Sequence, residues 1–268
     1  MLIDTHAHLN FEAFNSDRDE VIERCQKKGM SIINVGAQFE TSKLAVELAE
    51  IYSNLYVAIG LHPLHVFDEE FNETDYQDLI NEKVVAVGEI GFDYYHPTFE
   101  REVADSKTIE EVIKKQEEVF IKQVRFAKKN NLPVICHARN GVEGKDVYQD
   151  ILKILATEKV SKAVVHFYGG DLKTAQKIVA QGYYIGIDGP VTFKKKADEL
   201  QVIAKTIPLE NILLETDCPW VTPEPHRGER NEPIYVELIA EKIAELKGFT
   251  KEEIIEQTYI NAQKLFNF

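Results

Sequence analysis

The first eight residues, MLIDTHAH (Met1–His8), read as a short apolar strand that ends in Asp4-x-His6-x-His8, and this pattern of an apolar run closing on a ligating side chain decides the fold. Comparable runs recur at Ser31–Val35, Leu55–Ile59, Val84–Gly88, Pro133–His137, Ala163–His166, Tyr183–Ile187 and Ile212–Glu215. Between them lie segments of helical period, among them Asp17–Lys28, Thr41–Ile51, Val119–Asn130 and Lys173–Gln181. Strands that alternate with amphipathic helices imply βαβ units and a parallel sheet. Eight units in about 250 residues match the size of a TIM (β/α)8 barrel. An open doubly wound sheet is the runner-up, weakened because no GxGxxG follows the first strand. Two segments add to the repeat. His96–Lys115 is a long charged insertion after the fourth strand, with Ser106 as its expected N-cap, and Thr250–Phe268 reads as an extra C-terminal helix capped by Thr250 and Glu253. No linker or low-complexity tract breaks the chain, so one α/β domain over 1–268 is expected.

Composition narrows the partners. With 31 Lys+Arg against 45 Asp+Glu, the 268-residue chain carries a formal charge of −14. So acidic a surface does not attract nucleic acid in general, because that affinity comes from neutralising phosphates with cations. Any phosphate must be met locally. Three scattered cysteines, Cys25, Cys136 and Cys218, form neither a disulfide framework nor a CxxC zinc site. The first residues carry no basic, apolar leader. A cytoplasmic location, no membrane association and no stable protein partner are therefore expected.

In a TIM barrel the catalytic groups come from the C-terminal ends of several strands. Here the first strand ends in His6 and His8, the third runs into His62, the fourth into Glu89, the fifth into His137, the sixth into His166 and the eighth into Glu215-Thr216-Asp217. Five of the eight histidines occupy such ends. Side chains two apart on a strand share a face, so His6 and His8 point together. Imidazole and carboxylate are the ligands of zinc, manganese and similar ions. His6, His8, Glu89, His137, His166 and Asp217 exceed what one four- to five-coordinate ion uses, so two divalent ions (Mg, Mn or Zn) are expected. Glu215, on the strand face of Asp217, is expected to orient a ligand histidine from behind. Cys136 is expected to face the helix layer, and Cys218 to be a point of oxidation. His65, His96 and His226 are expected to be surface histidines.

The motifs Asp4-x-His6-x-His8, Gly60-Leu61-His62-Pro63, Gly88-Glu89-Ile90-Gly91-x-Asp93-Tyr94, Pro133-Val134-Ile135-x-His137-x-Arg139, Leu214-Glu215-Thr216-Asp217-x-Pro219 and Arg227-Gly228-x-Arg230-Asn231-Glu232-Pro233 occur in order. Together they resemble the TatD family of metal-dependent deoxyribonucleases, within the amidohydrolase-like superfamily. The likeness runs from Met1 to about Phe266. It implies a TIM barrel and hydrolysis of DNA phosphodiesters, typically as a 3′→5′ exonuclease. It also implies that His6, His8, Glu89 and Asp217 hold one ion while Glu89, His137 and His166 hold the second, with Glu89 bridging. Asp217 and Glu89 would be the catalytic carboxylates. Glu89 stands where the carbamylated-lysine branch of the superfamily has its lysine. Cys218, Trp220 and the length of the insertion depart from the family pattern. The second enzyme reading is hydrolysis of another ester or amide, such as D-aminoacyl-tRNA; a scaffold without catalysis is disfavoured by the complete ligand set.

Cations fall in the loops after strands: Arg139 and Lys145, Lys194–Lys196, Arg227 and Arg230. A positive rim on an acidic body suits a single-stranded or frayed 3′ end of DNA. His62, Tyr94, Arg139 and Arg227 are the expected substrate contacts, and Tyr94, Tyr95, Phe167, Tyr168 and Trp220 are loop aromatics suited either to stacking bases or to packing loops on the barrel. The insertion is expected to lie over the site, with Glu100, Glu102 and Asp105 repelling duplex.

Overall fold

Parallel pairing runs without interruption through eight strands: β1 (Ile3–Ala7), β2 (Ser31–Val35), β3 (Leu55–Ile59), β4 (Val84–Asp93), β5 (Val134–Arg139), β6 (Ala163–Val165), β7 (Tyr184–Ile187) and β8 (Ile212–Leu214). The computed structural model describes residues 1–95, 101–102, 107–195 and 197–268. Among these, the helices are α1 (Arg18–Lys27), α2 (Phe39–Ile51), α3 (Glu73–Asp78), α4 (Ile109–Lys129), α5 (Val147–Thr157), α6 (Leu172–Ala180), α7 (Asp198–Thr206), α8 (Val236–Lys247) and α9 (Lys251–Phe266). The architecture is a TIM barrel, with α9 as the extra C-terminal helix.

The barrel is sewn shut between its first and last strands by few bonds, several of them from side chains. His8 N–H donates to Cys218 O at 2.9 Å and Asp217 N–H to His6 O at 2.9 Å. The Thr5 hydroxyl donates to Leu214 O at 3.0 Å. Asp4 accepts from the Thr216 amide at 2.9 Å and from its hydroxyl at 2.6 Å. This seam fixes the register of His6-x-His8 against Thr216-Asp217, so the closure of the fold and the assembly of the site are one event.

Alternation assigns the two faces of each strand. Ile3, Ile33, Ala58, Val85, Ile135, Val164 and Leu213 form one buried cluster with Ala262, Leu265 and Phe266 of α9, while Val134, Cys136, Val165, Ile212 and Leu214 pack with the helices. Residues two further along the inner face are His137, His166 and Glu215, which therefore emerge at the C-terminal mouth. Cys136 faces the helix layer as expected.

Three local expectations change. The fourth strand does not stop at Gly88 but continues to Asp93, because Gly91, at φ +145°, lets it approach β5 where a Cβ would lie 2.2 Å from His137 O. The second half of the insertion is the first part of α4, a single 21-residue helix that takes in the expected Val119–Asn130 segment. Its N-cap is Thr108, in a capping box with Glu111, rather than Ser106, which lies outside the described residues. No helix of the described residues is long and apolar enough to cross a membrane.

Candidate metal centre

The side chains that the sequence singled out at six strand ends converge on Glu89. Its Oε1 lies 3.5 Å from His8 Nε2 and 3.8 Å from His6 Nε2. Its Oε2 lies 2.7 Å from His166 Nε2 and 3.1 Å from His137 Nδ1. One oxygen thus faces each histidine pair. Asp217 Oδ1 joins the first group, 3.3 Å from His8 Nε2 and 3.8 Å from His6 Nε2. Within the pairs, the facing nitrogens of His6 and His8 are 3.2 Å apart, as are those of His137 and His166. Ligands bound tetrahedrally at about 2.1 Å from an ion stand roughly 3.4 Å from one another. The donor atoms therefore form two groups with the spacing of metal ligands, and Glu89 is common to both.

Burial and hydrogen bonding act on these groups in different directions. His6 is fully buried, and desolvation pushes its pKa down to about 4 against the pull of Glu89, which keeps the ring neutral as ligation requires. Burial works against ionising Glu89, but the surrounding His62, His166 and His137 outweigh it and hold its carboxyl well below the usual range. His8 Nδ1 meets Val35 O at 2.9 Å, which turns its Nε2 toward the carboxylates. His137 is held from behind by Asp93, whose Oδ2 is 3.1 Å from Nε2. Burial opposes charge on His137, yet the bonds to Asp93 and Glu89 prevail and raise it to about 9, while the same bond lowers Asp93 to about 2.

Backbone strain falls on the same residues. Asp217 has φ +54° and Phe167, directly after His166, has φ +45°, a region that an aromatic residue rarely enters. The Phe167 amide is held there by the carboxylate of Glu215. Glu215 is 1% exposed, and its Oε1 stands 3.8 Å from His166 Nδ1. It stands behind His166 and bonds the amide of the residue that follows that histidine. Gly186 makes room for it, since a Cβ there would lie 2.2 Å from Glu215 Oε2. Desolvation, then the charge of Asp188, pushes the Glu215 carboxyl well up.

The residues expected at the substrate rim divide. His62 is buried beside the second group, its Nε2 3.8 Å from Glu89 Oε2 and its ring edge-on to His137 at 4.3 Å. Arg139 is exposed and lies over the Tyr95 ring at 4.9 Å; Arg227 is exposed and lies over Phe193 at 4.1 Å. Trp220 is 47% exposed and stands edge-on to His8 at 5.4 Å. Tyr94 does not join them. It is 2% exposed and its hydroxyl donates to Asp150 at 2.9 Å, so it anchors the end of β4 to α5 instead of facing substrate. Tyr168 is likewise buried, bonded to Asp171 O at 2.7 Å and packed on Tyr148. Arg230 is occupied by Asp17, at 2.6–2.7 Å through two bonds, and by Glu232 at 3.0 Å. Glu102 is buried between Arg101 and Lys107, so it presents no free charge to a duplex. Glu100, Asp105, His96 and Lys196 lie outside the described residues. Cys218 is fully buried, which removes it as a point of oxidation.

Two residues at the site escaped the reading of strand ends. Asp93 was named only within the Gly88–Tyr94 motif, because the fourth strand was expected to end at Gly88, although it shares the two-residue period of Glu89. Asp188 ends the seventh strand, is 1% exposed, and neither of its oxygens has a hydrogen-bond partner among the described residues. An apolar run closing on an acid was a sufficient signal for it.

A family model described as TatD related DNase matches residues 3–267. The chain belongs to the TatD family. Its curated relatives include the uncharacterized metal-dependent hydrolase YabD of Bacillus subtilis, 40% identical with 99% of each chain covered. The uncharacterized metal-dependent hydrolase YcfH of Escherichia coli is 34% identical, covering 99% of this chain and 96% of the relative. Among solved structures, the TatD homolog YJJV of Escherichia coli superimposes with a TM-score of 0.87 at 28% identity, covering 100% of this chain and 98% of that one. The TatD-family chain described here thus groups with relatives named metal-dependent hydrolases.

Proposed function

We propose that this TatD-family chain, as one hydrolase domain over 1–268, cleaves DNA phosphodiester bonds with two divalent ions, as a 3′→5′ exodeoxyribonuclease acting on a single-stranded or frayed end. The observation that carries the reading is the division of Glu89, with one oxygen toward His6 and His8 and the other toward His137 and His166. When bound, two such ions supply an acidified water and neutralise the attacking and leaving oxygens of an in-line displacement.

The side chains divide the remaining work. His6, His8, Glu89 and Asp217 would hold one ion, and Glu89, His137 and His166 the other. Asp217, 15% exposed where His6 and His8 are fully buried, faces the mouth and takes the proton of the attacking water. Glu215 and Asp93 keep His166 and His137 aimed. His62 meets the phosphate beside the second group. Arg139 and Arg227 neutralise the neighbouring phosphates, and the exposed faces of Trp220 and Tyr95 stack terminal bases. A rim of a few cations on a body of −14 favours a short contact over a long duplex. The purified protein assayed on 3′-labelled and 5′-labelled single- and double-stranded DNA, with a series of Mg, Mn and Zn and with EDTA, tests this. Stepwise shortening from the 3′ end, abolished by EDTA, is expected. Inert DNA in every metal, with turnover of an aminoacyl ester instead, would move the chain to the other ester class.

A further inference from the structure

Two glutamines of α4 are joined to the loop around His62 and to the end of β4, where Asp93 backs His137. Gln123 is 1% exposed and uses both ends of its amide on one residue: it accepts from Leu61 N–H at 2.7 Å and donates to Leu61 O at 2.9 Å. Gln116 is 2% exposed, accepts from Asp93 N–H at 3.2 Å, and donates to Asp93 O at 3.2 Å and Pro63 O at 3.4 Å. Seven residues apart, they lie on one face of the helix, about two turns from each other. Leu61 and Pro63 flank His62, and the carboxylate of Asp93 holds His137 Nε2.

The geometry points to Gln116 and Gln123 as positioning residues by which α4 sets His62 and the Asp93–His137 pair relative to Glu89. This rests on the two-ion reading above and deepens it. Buried amides on a helix have no need to leave their own element; they are tolerated inside only when every donor and acceptor is met, and here the partners are the backbones of other elements. The consequence is a division of labour. His6, His8 and Asp217 are set by the β1–β8 seam, which α4 does not touch through these side chains. His137 is set through Asp93 by Gln116. His62 is set from both sides, through Leu61 by Gln123 and through Pro63 by Gln116. Loss of Gln116 therefore disturbs the Glu89–His137–His166 group and spares the other.

The test is titration of the chelator-stripped full chain with Mn2+, followed by calorimetry or electron paramagnetic resonance, alongside thermal unfolding. Removing a group that orients a metal ligand weakens affinity by about 10- to 100-fold. Gln116→Met should raise the dissociation constant of one of the two ions about tenfold and leave the other within twofold. Gln116→Glu keeps the acceptor for Asp93 N–H and loses the amide donors to Asp93 O and Pro63 O, so it should raise the same dissociation constant and serves as the readout should the methionine variant not fold. Gln123→Met should leave both ions within twofold and instead raise the KM of DNA more than it lowers kcat, through His62. Phe126→Leu, on the same helix in the core, lowers the melting temperature and should move neither readout. Both ions unchanged in the Gln116 variants, or both weakened equally in step with melting temperature, would overturn the inference. A wild type that takes up one ion sinks the proposed function and this inference together; two ions in the wild type with unshifted Gln116 variants sinks this inference alone.

Discussion

Replacing Asp93 by Asn tests whether the second ion depends on a carboxylate that never touches it. Asp93 is 1% exposed and its Oδ2 lies 3.1 Å from His137 Nε2, so the imidazole N–H is donated to a buried charge. Asparagine keeps the shape and an acceptor but loses the charge. Hydrogen bonds to charged groups contribute about 1.5–3 kcal/mol against about 0.5–1.5 for neutral pairs, so the substitution costs about 1–1.5 kcal/mol in the hold on His137. At about 1.4 kcal/mol for each factor of ten, the affinity of the ion bound by Glu89, His137 and His166 should fall about tenfold. The ion bound by His6, His8, Glu89 and Asp217 should be unaffected. Mn2+ titration of the stripped protein measures both steps, and activity should return toward wild type as Mn2+ is raised. A variant that binds both ions as wild type does, or loses activity that no concentration of metal restores, would refute the account of Asp93.

Asp217→Asn should abolish turnover while the melting temperature stays within a few degrees, since a charged ligand and proton acceptor is lost without change of volume; activity within tenfold of wild type removes Asp217 from the chemistry. Arg139→Ala and Arg227→Ala should each raise KM and flatten the salt dependence of binding by about one unit, whereas Arg230→Ala, which breaks the bonds to Asp17, should lower the melting temperature and leave the salt slope alone. The three cysteines are buried, and desolvation, then the charges of Asp4 and Glu232, pushes the Cys25 thiol up from 9.0 to about 12, with Cys136 and Cys218 also raised by burial. A disulfide reagent at pH 8 should find no thiol in the native protein and three in denaturant. Because the folded values lie above the unfolded one, the stabilisation is fully present below pH 9 and is lost as pH rises through 9 toward 12; stability that rises over that interval would contradict the assignment.

The convergence of these side chains was legible in the sequence because strands alternate with a period of two and the apolar runs ended on residues that rarely end them without purpose. His6 and His8, Glu89, His137, His166 and Asp217 each needed only their own neighbourhood to be read. What depends on long-range partners was not legible. Tyr94 and Tyr95 are adjacent and chemically identical, yet one is buried against Asp150 and the other is exposed. Arg230 looks like a rim cation until Asp17, 213 residues away, occupies it. Ser106 and Thr108 are both acceptable N-caps, and Glu111 closing the box on Thr108 decides between them. Gln116 and Gln123 carried no signal at all, since a glutamine in a charged helix reads as solvent-facing until the loops it binds are known.

The most direct test of two ions shared by Glu89 is activity against added metal. Protein stripped by chelator, held well above the dissociation constants, is titrated with Mn2+ while release of the 3′-terminal nucleotide from single-stranded DNA is followed. The account predicts no cleavage before metal is added, a rise that breaks at two equivalents per chain, and neither cleavage nor a second equivalent bound in Glu89→Gln. Full activity at one equivalent, or cleavage by the stripped protein in the presence of EDTA, would contradict it.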